Sequence, residues 1–427
     1  MHLHPFANAV LVVCLWEGCN STHAEAPTGN EQSQHVPATV AVPRLPAPSG
    51  PYGIGRVGYD WTDPSRRDRY SSSPQAHREL MVYIWYPAST NRADARGTYL
   101  PGAKQMDAAP DIQRGMRDDY GANWPLIVSN AIYSHAVDSA AILKATAKFP
   151  LVIFSHGSGG SGFGYTALIE DLVSHGYVVA AIEHTGSTGA VFFRDGRLVP
   201  FHQDPPAPTL SAEEKWKRMA ESANAGIEEG GADVRFVLDR LTELNRGNPP
   251  SAFAGRLDLN RVAAMGHSAG AEFAARACEL DARIQACVDL DGGMVPVAAL
   301  PEYPDAATIR QPLLFLEAYH DESHMGGTHE QHLEYFKKRA AQLEKCPAGT
   351  YAVLLRSPGI MHGSFSDYPF LAAGDDPQKS KAATHNFELI TTLVRAFLDK
   401  TLNHDKGTLF DTHHPAIPEA EIVPYGD

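Results

Sequence analysis

A serine inside a glycine-rich pentapeptide is the strongest candidate for nucleophilic chemistry in this chain. Gly266-His267-Ser268-Ala269-Gly270 follows the apolar run RVAAM and leads into AGAEFAARACEL, which has helical periodicity. A sharp strand-to-helix turn strains the serine backbone, and glycines two residues away on either side relieve the crowding. The pattern predicts Ser268 as the nucleophile of an acyl-transfer reaction. The alternative is a Gly-rich turn without catalytic role.

A serine hydroxyl needs a base and an orienting acid, and with this turn the chain order is serine, then acid, then histidine. His362 lies in a loop just past a predicted late strand, within SPGIMHGSFSD. His329 and His332 fall on the polar face of a predicted helix. We therefore predict His362 as the general base.

Two aspartates could supply the acid. Asp291 ends the predicted strand RIQACVDLD, and Asp321 follows the next one, within EAYHDE. Ligand chemistry in open parallel sheets collects at the carboxyl ends of strands, which both positions satisfy. Turn-forming and helix-capping aspartates also occur there. Spacing alone leaves Asp291 and Asp321 as equal candidates.

Two backbone N–H groups are expected to stabilise an oxyanion. The first belongs to Ala269, at the start of the helix that follows the serine. The second is expected from the turn His156-Gly157-Ser158-Gly159-Gly160, where the N–H of Ser158 is the natural donor. A phosphate-binding loop is the alternative for this turn, but the Lys-Ser/Thr pair of that motif is missing.

The elements that position these groups alternate between strand and helix over residues 149–401. Near-continuous apolar runs such as FPLVIFSHG predict strands buried on both faces. Helical periodicity covers 211–246, with an interruption at Gly230-Gly231, and is also present at 136–147. Residues 81–88, MVYIWYPA, predict an edge strand. The alternation predicts an α/β fold with a mostly parallel central sheet and helices on both faces.

Composition limits the functional class. The chain has 427 residues, of which 43% are hydrophobic and 20% charged; this is typical of a globular protein and excludes a wholly disordered or multi-span membrane protein. Asp plus Glu (50) outnumber Lys plus Arg (36), which gives a formal net charge of −14. Since a nucleic-acid binder needs a cationic surface, we expect no nucleic-acid partner. The 5 cysteines are too few for a disulfide scaffold and have no zinc-site spacing.

The N-terminal region predicts export. Residues 1–26 contain the apolar stretch ANAVLVVCLW, too short to span a bilayer, and end in Ala24-Glu25-Ala26, a small-residue cleavage signal. No Lys or Arg precedes the apolar stretch, which is atypical of a signal peptide. Residues 27–50 predict an extended or disordered lead-in. We expect a secreted or periplasmic protein, with a cytoplasmic location as the alternative.

Five segments resemble, in order, the platelet-activating-factor acetylhydrolase family. They are FPLVIFSHGSGG, DLVSHGYVVAAIEH, GHSAG, CVDLDGGMVP and RSPGIMHGSFSDYPF. The resemblance implies an α/β-hydrolase fold and a Ser-dependent phospholipase A2 or esterase that cleaves short or oxidised acyl groups and needs no calcium or other cofactor. It implies Ser268 as nucleophile and His362 as base. Because DLDGGMVP resembles the family segment with Asp before Met-x-Pro, it favours Asp291 over Asp321 as the acid.

Two residues of the implied oxyanion hole depart from the family pattern. Ser158 replaces a usually apolar residue, and Ala269 replaces an aromatic one. Both donate through backbone N–H, so both hydrogen bonds to the oxyanion are expected to remain. The side chains that line the pocket there are expected to be smaller and more polar. A general carboxylesterase or polyesterase is therefore the alternative to a phospholipid enzyme, and a non-catalytic binding protein is a third hypothesis.

The predicted organisation is one α/β-hydrolase domain over 51–402, with 185–250 as a candidate cap and 403–427 as a C-terminal tail. The expected partners are small-molecule or lipid esters, met in the lipid case through transient contact with a membrane surface. No metal is expected.

Overall fold

The computed structural model describes residues 42–90, 94–144, 147–202, 210–292, 309–319, 329–410 and 417–426. The predicted signal peptide at 1–26 lies outside these residues. The strands are β1 (Gly53–Arg67), β2 (His77–Ala88), β3 (Val137–Asp138), β4 (Phe149–Ser155), β5 (Val178–Glu183), β6 (Ala190–Phe192), β7 (Leu198–Pro200), β8 (Leu257–His267), β9 (Ala286–Leu290), β10 (Leu313–Ala318), β11 (Thr350–Leu355) and β12 (Ala420–Tyr425).

Helices lie between most of the strands. They are α1 (Ala103–Asp107), α2 (Pro110–Tyr120), α3 (Trp124–Val128), α4 (Thr166–Ser174), α5 (Ala212–Arg246), α6 (Ala269–Leu280), α7 (His329–Ala340), α8 (Tyr368–Ala373) and α9 (Pro377–Leu402). Short 3₁₀ turns occupy Gly121–Asn123, Gly162–Tyr165, Ala341–Lys345 and His362–Phe365. In the described part of the chain, no helix has the length and apolar character needed to cross a membrane.

One ten-stranded sheet forms the centre of the fold, in the order β12-β11-β10-β9-β8-β4-β5-β2-β1-β3. The strands from β5 through β4, β8, β9 and β10 to β11 are parallel. The pairs β2–β5, β1–β2 and β11–β12 are antiparallel. The prediction of a mostly parallel sheet in an α/β-hydrolase fold is confirmed.

Each face of the sheet carries its own apolar core. In β4, Val152 and Phe154 point to one cluster, which also contains residues of α4 and α9. Leu151 and Ile153 point to the other cluster, with residues of α5, α6 and α7. Successive side chains of a strand alternate between faces, so a strand covered on both sides must be apolar throughout. This is why the sequence runs at 149–155 and 178–183 predict the central strands well.

The strand predicted at 81–88 is real but does not lie at a sheet edge. β2 pairs with β5 on one side and with β1 on the other. The sequence pattern missed β1 because glycines interrupt it: a Cβ at Gly55 would overlap the Tyr86 ring, and a Cβ at Gly58 would lie 2.6 Å from Cε of Met81. The glycines are needed because large β2 side chains lie across β1.

The helix predicted at 136–147 is wrong. This stretch holds the two-residue strand β3, which pairs with β1, and from there to residue 144 the chain forms no helix. The backbone N–H groups of His135 and Ala136 donate to the buried carboxylate of Glu170 in α4, at 3.1 and 3.0 Å. This tertiary hydrogen bonding outweighs the helical periodicity.

Helix α5 is continuous through Gly230-Gly231, where the sequence predicted an interruption. A Cβ at Gly230 would overlap the Phe273 ring of α6, and one at Gly231 would lie 2.7 Å from Cγ of Arg276. The two glycines therefore permit close packing of α5 on α6, which outweighs the low helix propensity of glycine.

The segment predicted as a cap, 185–250, is divided in the structure. Its first part forms the β6–β7 hairpin, and residues 203–209 lie outside the described residues. The second half of α5 packs in the core, where its buried side chains include Val234, Val237, Leu238 and Leu241. These four side chains recur at helical spacing, so they lie on one face of the helix, and this face packs against the sheet.

Both ends of the predicted domain extend further than expected. Residues 42–50 of the predicted lead-in pack on α4, where Gly50 N–H donates to Oγ of Ser174 at 2.9 Å. The predicted tail contributes β12, which pairs with β11. Pro424 obscured this strand in the sequence, but proline is tolerated on an edge strand, where one N–H is not needed for pairing.

Candidate active site

The turn that carries Ser268 has the predicted geometry. β8 ends at His267, α6 begins at Ala269, and Ser268 between them has φ 54° and ψ −128°. A Cβ at Gly266 would overlap the backbone of Gly270, and a Cβ at Gly270 would overlap the Ser155 carbonyl. The Ser268 N–H donates to the carbonyl of Leu290 in β9 at 3.0 Å. Tight packing against two neighbouring strands thus holds the serine in a conformation that non-glycine residues rarely adopt.

The structure brings Asp291 and His362 into contact. Nδ1 of His362 lies 2.7 Å from Oδ2 of Asp291. The other oxygen, Oδ1, accepts from the N–H of Ala318 at 2.9 Å, and the N–H of Asp291 donates to Leu316 at 2.7 Å. Asp291 is 6% exposed and also has a positive φ, 53°. A buried carboxylate fixed in this way can orient a histidine.

Asp321, the alternative acid, lies outside the described residues. The histidine-rich stretch around it, 320–328, lies outside them as well. Among the residues that the structure does describe, no group of three or more His, Cys, Asp or Glu side chains is arranged to hold a metal ion.

His267 connects the serine turn with the histidine loop. Its ring centroid lies 4.4 Å from that of His362, and its Nε2 donates to the His362 carbonyl at 3.0 Å. The ring of Phe365 stacks on His267 at 5.6 Å. Burial, with a contribution from His362, lowers the pKa of His267 to about 3, so this ring is neutral. The residue before the predicted nucleophile therefore contacts the residue predicted as base.

The loop after β4 presents the N–H of Ser158. His156 Nδ1–H and Gly160 N–H donate to the Gly157 carbonyl at 2.7 and 3.0 Å. In a trans peptide the carbonyl and the next N–H point in opposite directions, so fixing the Gly157 carbonyl also aims the Ser158 N–H. Among the described residues, the N–H groups of Ser158 and Ala269 donate no hydrogen bond within the protein. Two such donors can stabilise an oxyanion.

Two supporting residues were not found from the sequence. The Tyr165 hydroxyl accepts from Gly157 N–H at 3.2 Å and lies 2.7 Å from Nδ1 of His267. The Asp367 carboxylate accepts from the N–H groups of Thr166 and Ala167 at 3.0 and 3.1 Å. Burial raises the pKa of Asp367 to about 7. Their short sequence neighbourhoods, GFGY and SFSDYPF, contain no motif that signals these contacts.

A second aspartate supports the turn after Asp291. Oδ1 of Asp289 accepts from Gly292 N–H at 2.7 Å, and Arg339 donates to the Gly292 carbonyl. Burial raises the pKa of Asp289 to about 7, although Arg339 and the Gly292 hydrogen bond act in the opposite direction. Asp289 thus contacts the backbone beside Asp291 rather than His362.

A buried Ser-His-Asp arrangement lies at the end of β4, next to the loop 156–160. Oγ of Ser155 lies 3.0 Å from Nε2 of His184, and Nδ1 of His184 lies 2.9 Å from Oδ2 of Asp233. Arg78 donates to the same Asp233 oxygen at 2.6 Å. All four residues are at most 2% exposed. A substrate has no access to this serine, so the arrangement is a structural support for the end of β4.

Comparisons with known proteins place the chain near ester hydrolases. The family model described as platelet-activating factor acetylhydrolase, isoform II, matches residues 38–407. A platelet-activating factor acetylhydrolase of Cavia porcellus is 27% identical over 286 residues, covering 62% of this chain and 60% of that protein. A probable 1-alkyl-2-acetylglycerophosphocholine esterase of Arthroderma benhamiae is 24% identical over 424 residues, covering 89% of this chain and 93% of that protein.

Among solved structures, a ferulic acid esterase from Streptomyces cinnamoneus is similar, with a TM-score of 0.66 and 28% sequence identity. The match covers 90% of this chain and 100% of that one. Against the animal relatives the coverage is smaller: the aligned part spans 60%, 50% and 56% of the proteins from Cavia porcellus, Canis lupus familiaris and Gallus gallus.

Proposed function

This chain belongs to the platelet-activating factor acetylhydrolase, isoform II, family, and on that premise we propose that it is a serine-dependent carboxylic ester hydrolase. The observation that carries the proposal is the 2.7 Å contact between His362 and Asp291. His362 also contacts His267, the residue directly before the serine with φ 54° at the strand-to-helix turn. A buried acid, an oriented histidine and a partly exposed serine at a strained turn are together what activates a hydroxyl for acyl transfer.

In the proposed first half-reaction, Ser268 Oγ attacks the ester carbonyl while Nε2 of His362 takes its proton. Asp291 accepts a hydrogen bond from Nδ1–H of His362, which leaves Nε2 free as the base and stabilises the imidazolium that forms. The carbonyl oxygen becomes an oxyanion and accepts from the N–H groups of Ser158 and Ala269. His362 then returns the proton to the leaving alcohol, and the acyl group stays on Ser268.

In the second half-reaction, water replaces the alcohol. His362 takes a proton from this water as it attacks the acyl-enzyme, and the same two N–H groups hold the second oxyanion. Collapse of the intermediate releases the acid and returns the proton to Ser268. The described residues supply every proton transfer of this cycle, so the proposed mechanism needs no cofactor.

For the substrate we propose a short acyl ester, with the sn-2 ester of a phospholipid as the first candidate. Support comes from the names of the relatives, which include platelet-activating factor acetylhydrolase and 1-alkyl-2-acetylglycerophosphocholine esterase. A phospholipid in a membrane would be reached through transient contact of the enzyme with the lipid surface.

A non-lipid ester is the second candidate. The similar solved structure is a ferulic acid esterase, whose alignment covers that whole chain. In this chain Ala269 stands beside the nucleophile, where a small side chain leaves room for a bulky or aromatic acyl group. A general carboxylesterase or polyesterase would use the same groups on such substrates.

We further propose that the protein is exported. The structure contains a disulfide between Cys278 and Cys287, which joins α6 to β9. Disulfides form and persist mainly in oxidising compartments, and this supports a secreted or periplasmic location. Mass spectrometry of the protein recovered from its native host would identify the mature N-terminus, and cleavage near Ala26 is the expected result.

The test of function compares three substrates: a short sn-2 acyl phosphatidylcholine, p-nitrophenyl acetate and methyl ferulate. Ser268→Ala is the blank, and a fluorophosphonate probe reports whether Ser268 is nucleophilic. The phospholipid proposal expects a kcat/KM for the phosphatidylcholine at least equal to that for the nitrophenyl ester. Turnover of methyl ferulate or p-nitrophenyl acetate alone would move the function to a non-lipid esterase.

Failure of the whole proposal has a distinct result. A wild-type chain that neither hydrolyses any of the three esters nor reacts with the fluorophosphonate probe would be a non-catalytic binding protein. Labelling that persists in Ser268→Ala would show that another residue is the nucleophile.

A further inference from the structure

The Tyr165 hydroxyl lies between the three parts of the candidate active site. It accepts from Gly157 N–H at 3.2 Å and contacts Nδ1 of His267 at 2.7 Å, and His267 in turn donates to the His362 carbonyl at 3.0 Å. We propose that Tyr165 is a positioning residue. It holds three segments in one arrangement: the oxyanion loop (156–160), the serine turn (266–270) and the histidine loop (357–367). The proposal rests on the ester-hydrolase function proposed above.

The direction of each hydrogen bond follows from the groups involved. A carbonyl oxygen only accepts, so Nε2 of His267 carries the proton that is donated to His362. Since burial keeps His267 neutral, its Nδ1 has a lone pair and accepts from the Tyr165 O–H. The Tyr165 oxygen can then accept from Gly157 N–H. The His362 carbonyl therefore selects the Nε2–H tautomer of His267, and the Tyr165 hydroxyl donates to the Nδ1 lone pair that this tautomer presents.

Each contact lies one residue away from a group that the proposed mechanism uses. Gly157 precedes Ser158, and His267 precedes Ser268. A Cβ at Gly157 would lie 3.2 Å from Cβ of Ser268 and 3.4 Å from both His267 Nδ1 and the Tyr165 hydroxyl. These three side chains therefore pack closely around Gly157, where even an added methyl group would be in tight contact with all of them.

Tyr165 is itself fixed from the histidine side. Asp367 accepts from the N–H of Thr166, which follows Tyr165, and its own N–H donates to the carbonyl of Gly164 at 2.7 Å. Tyr165 is 5% exposed and its ring packs on Phe154. The hydroxyl thus has a defined position before any substrate binds.

Loss of the hydroxyl would affect His267 in a specific way. Without the Tyr165 O–H, the buried Nδ1 lone pair of His267 has no donor and the Gly157 N–H has no acceptor. The His267 ring is then no longer held between Tyr165 and the His362 carbonyl, and it can shift together with the loop that carries His362. Because small displacements of catalytic groups reduce the rate strongly, we expect the main effect on kcat rather than on substrate binding.

The test is Tyr165→Phe, with Tyr177→Phe as the matched control. Tyr177 is also a buried tyrosine whose hydroxyl has two partners, Asp399 at 2.6 Å and Asn403 at 3.0 Å, both away from the site. For p-nitrophenyl acetate we expect kcat of Tyr165→Phe to fall about 10- to 100-fold, with KM changed by less than about threefold. Tyr177→Phe should lower the melting temperature and keep kcat.

Two further measurements separate positioning from a general loss of stability. In a double-variant cycle with His267→Ala, the kcat effects should not add, because Tyr165 acts through His267. In protein labelled with ¹⁵N-histidine, the Nδ1 shift of His267 should report a hydrogen-bonded lone pair in wild type and move to the value of an unbonded lone pair in Tyr165→Phe. This NMR measurement does not depend on ester hydrolysis, so it tests the coupling even if the proposed function fails.

Three results would overturn the proposal. They are a kcat of Tyr165→Phe within about twofold of wild type, kcat effects that add fully in the cycle, and a His267 Nδ1 shift that is the same in both proteins.

Discussion

The carboxylate of Asp291 joins His362 to the central sheet. Its Oδ2 lies 2.7 Å from Nδ1 of His362, 71 residues away along the chain, while its Oδ1 accepts from Ala318 N–H at the end of β10. The histidine loop is therefore attached to two neighbouring parallel strands through a single side chain. The orientation of His362 depends on this attachment, and the first prediction tests it.

Replacing Asp291 by asparagine should reduce kcat for p-nitrophenyl acetate by about 10³- to 10⁴-fold. The amide keeps the shape but no longer holds His362 in the tautomer that leaves Nε2 as the base. Asp258→Asn, which breaks a half-buried ion pair with Arg261, is the control and should keep wild-type kcat. A fall of less than tenfold in Asp291→Asn, with a large fall in Asp321→Asn, would assign the acid to Asp321.

Asp289→Asn should stabilise the protein at pH 8 but not at pH 4. Burial raises the Asp289 pKa from 3.8 to about 7 in the folded protein, so between these pH values the unfolded chain ionises first and the wild type loses stability as pH rises. The full difference corresponds to about 4 kcal/mol above pH 7. Asparagine cannot ionise and avoids this loss.

The check is urea unfolding of both proteins at pH 4, 6 and 8. The stability difference between Asp289→Asn and wild type should grow with pH over this range. Asp258→Asn, at an ion pair with Arg261, should show no such gain. A difference that is constant with pH would show that the Asp289 carboxyl titrates normally in the folded protein.

Two glycines of α5 should respond to alanine with opposite signs. Gly226 has no atom within 4 Å of an added Cβ, so Gly226→Ala should stabilise the helix by up to about 1 kcal/mol. An added Cβ at Gly230 would overlap the Phe273 ring, so Gly230→Ala should destabilise the protein by about 1–3 kcal/mol. Thermal and urea unfolding measure both. Equal changes in the two variants would contradict the close α5–α6 packing.

Reduction of the Cys278–Cys287 disulfide should lower the free energy of unfolding by about 3 kcal/mol. The two cysteines are 9 residues apart, and the cross-link restricts the unfolded chain accordingly. Urea unfolding with and without dithiothreitol measures the effect. The double variant Cys278→Ala/Cys287→Ala is the control and should unfold identically in both conditions. A wild type that is insensitive to the reductant would argue against the disulfide.

Much of the fold could be predicted because the central strands are buried on both faces. Burial requires continuous apolar runs, and such runs are visible in the sequence at β4, β5, β8 and β10. The errors fall where distant residues decide the local structure. At 136–147, hydrogen bonds to Glu170 outweigh helical periodicity, and at Gly230 the ring of Phe273 requires a glycine inside a helix.

For the candidate site, the sequence by itself determined the residue types and their order: a serine in a turn that tolerates only glycine two residues away, a later strand-end aspartate and a loop histidine. These are local properties, since a strained turn and a strand end each leave a signature in a few adjacent residues. The catalytic roles of Ser268, His362 and Asp291 stay predictions until the variants are measured.

Only the tertiary structure decided which distant groups meet. It joined Asp291 to His362 across 71 residues and Tyr165 to His267 across 102. It also buried a second Ser-His-Asp set, at Ser155, out of reach of any substrate. No local pattern encodes such contacts, because they depend on which strands become neighbours in the sheet and on how closely the helices pack above it.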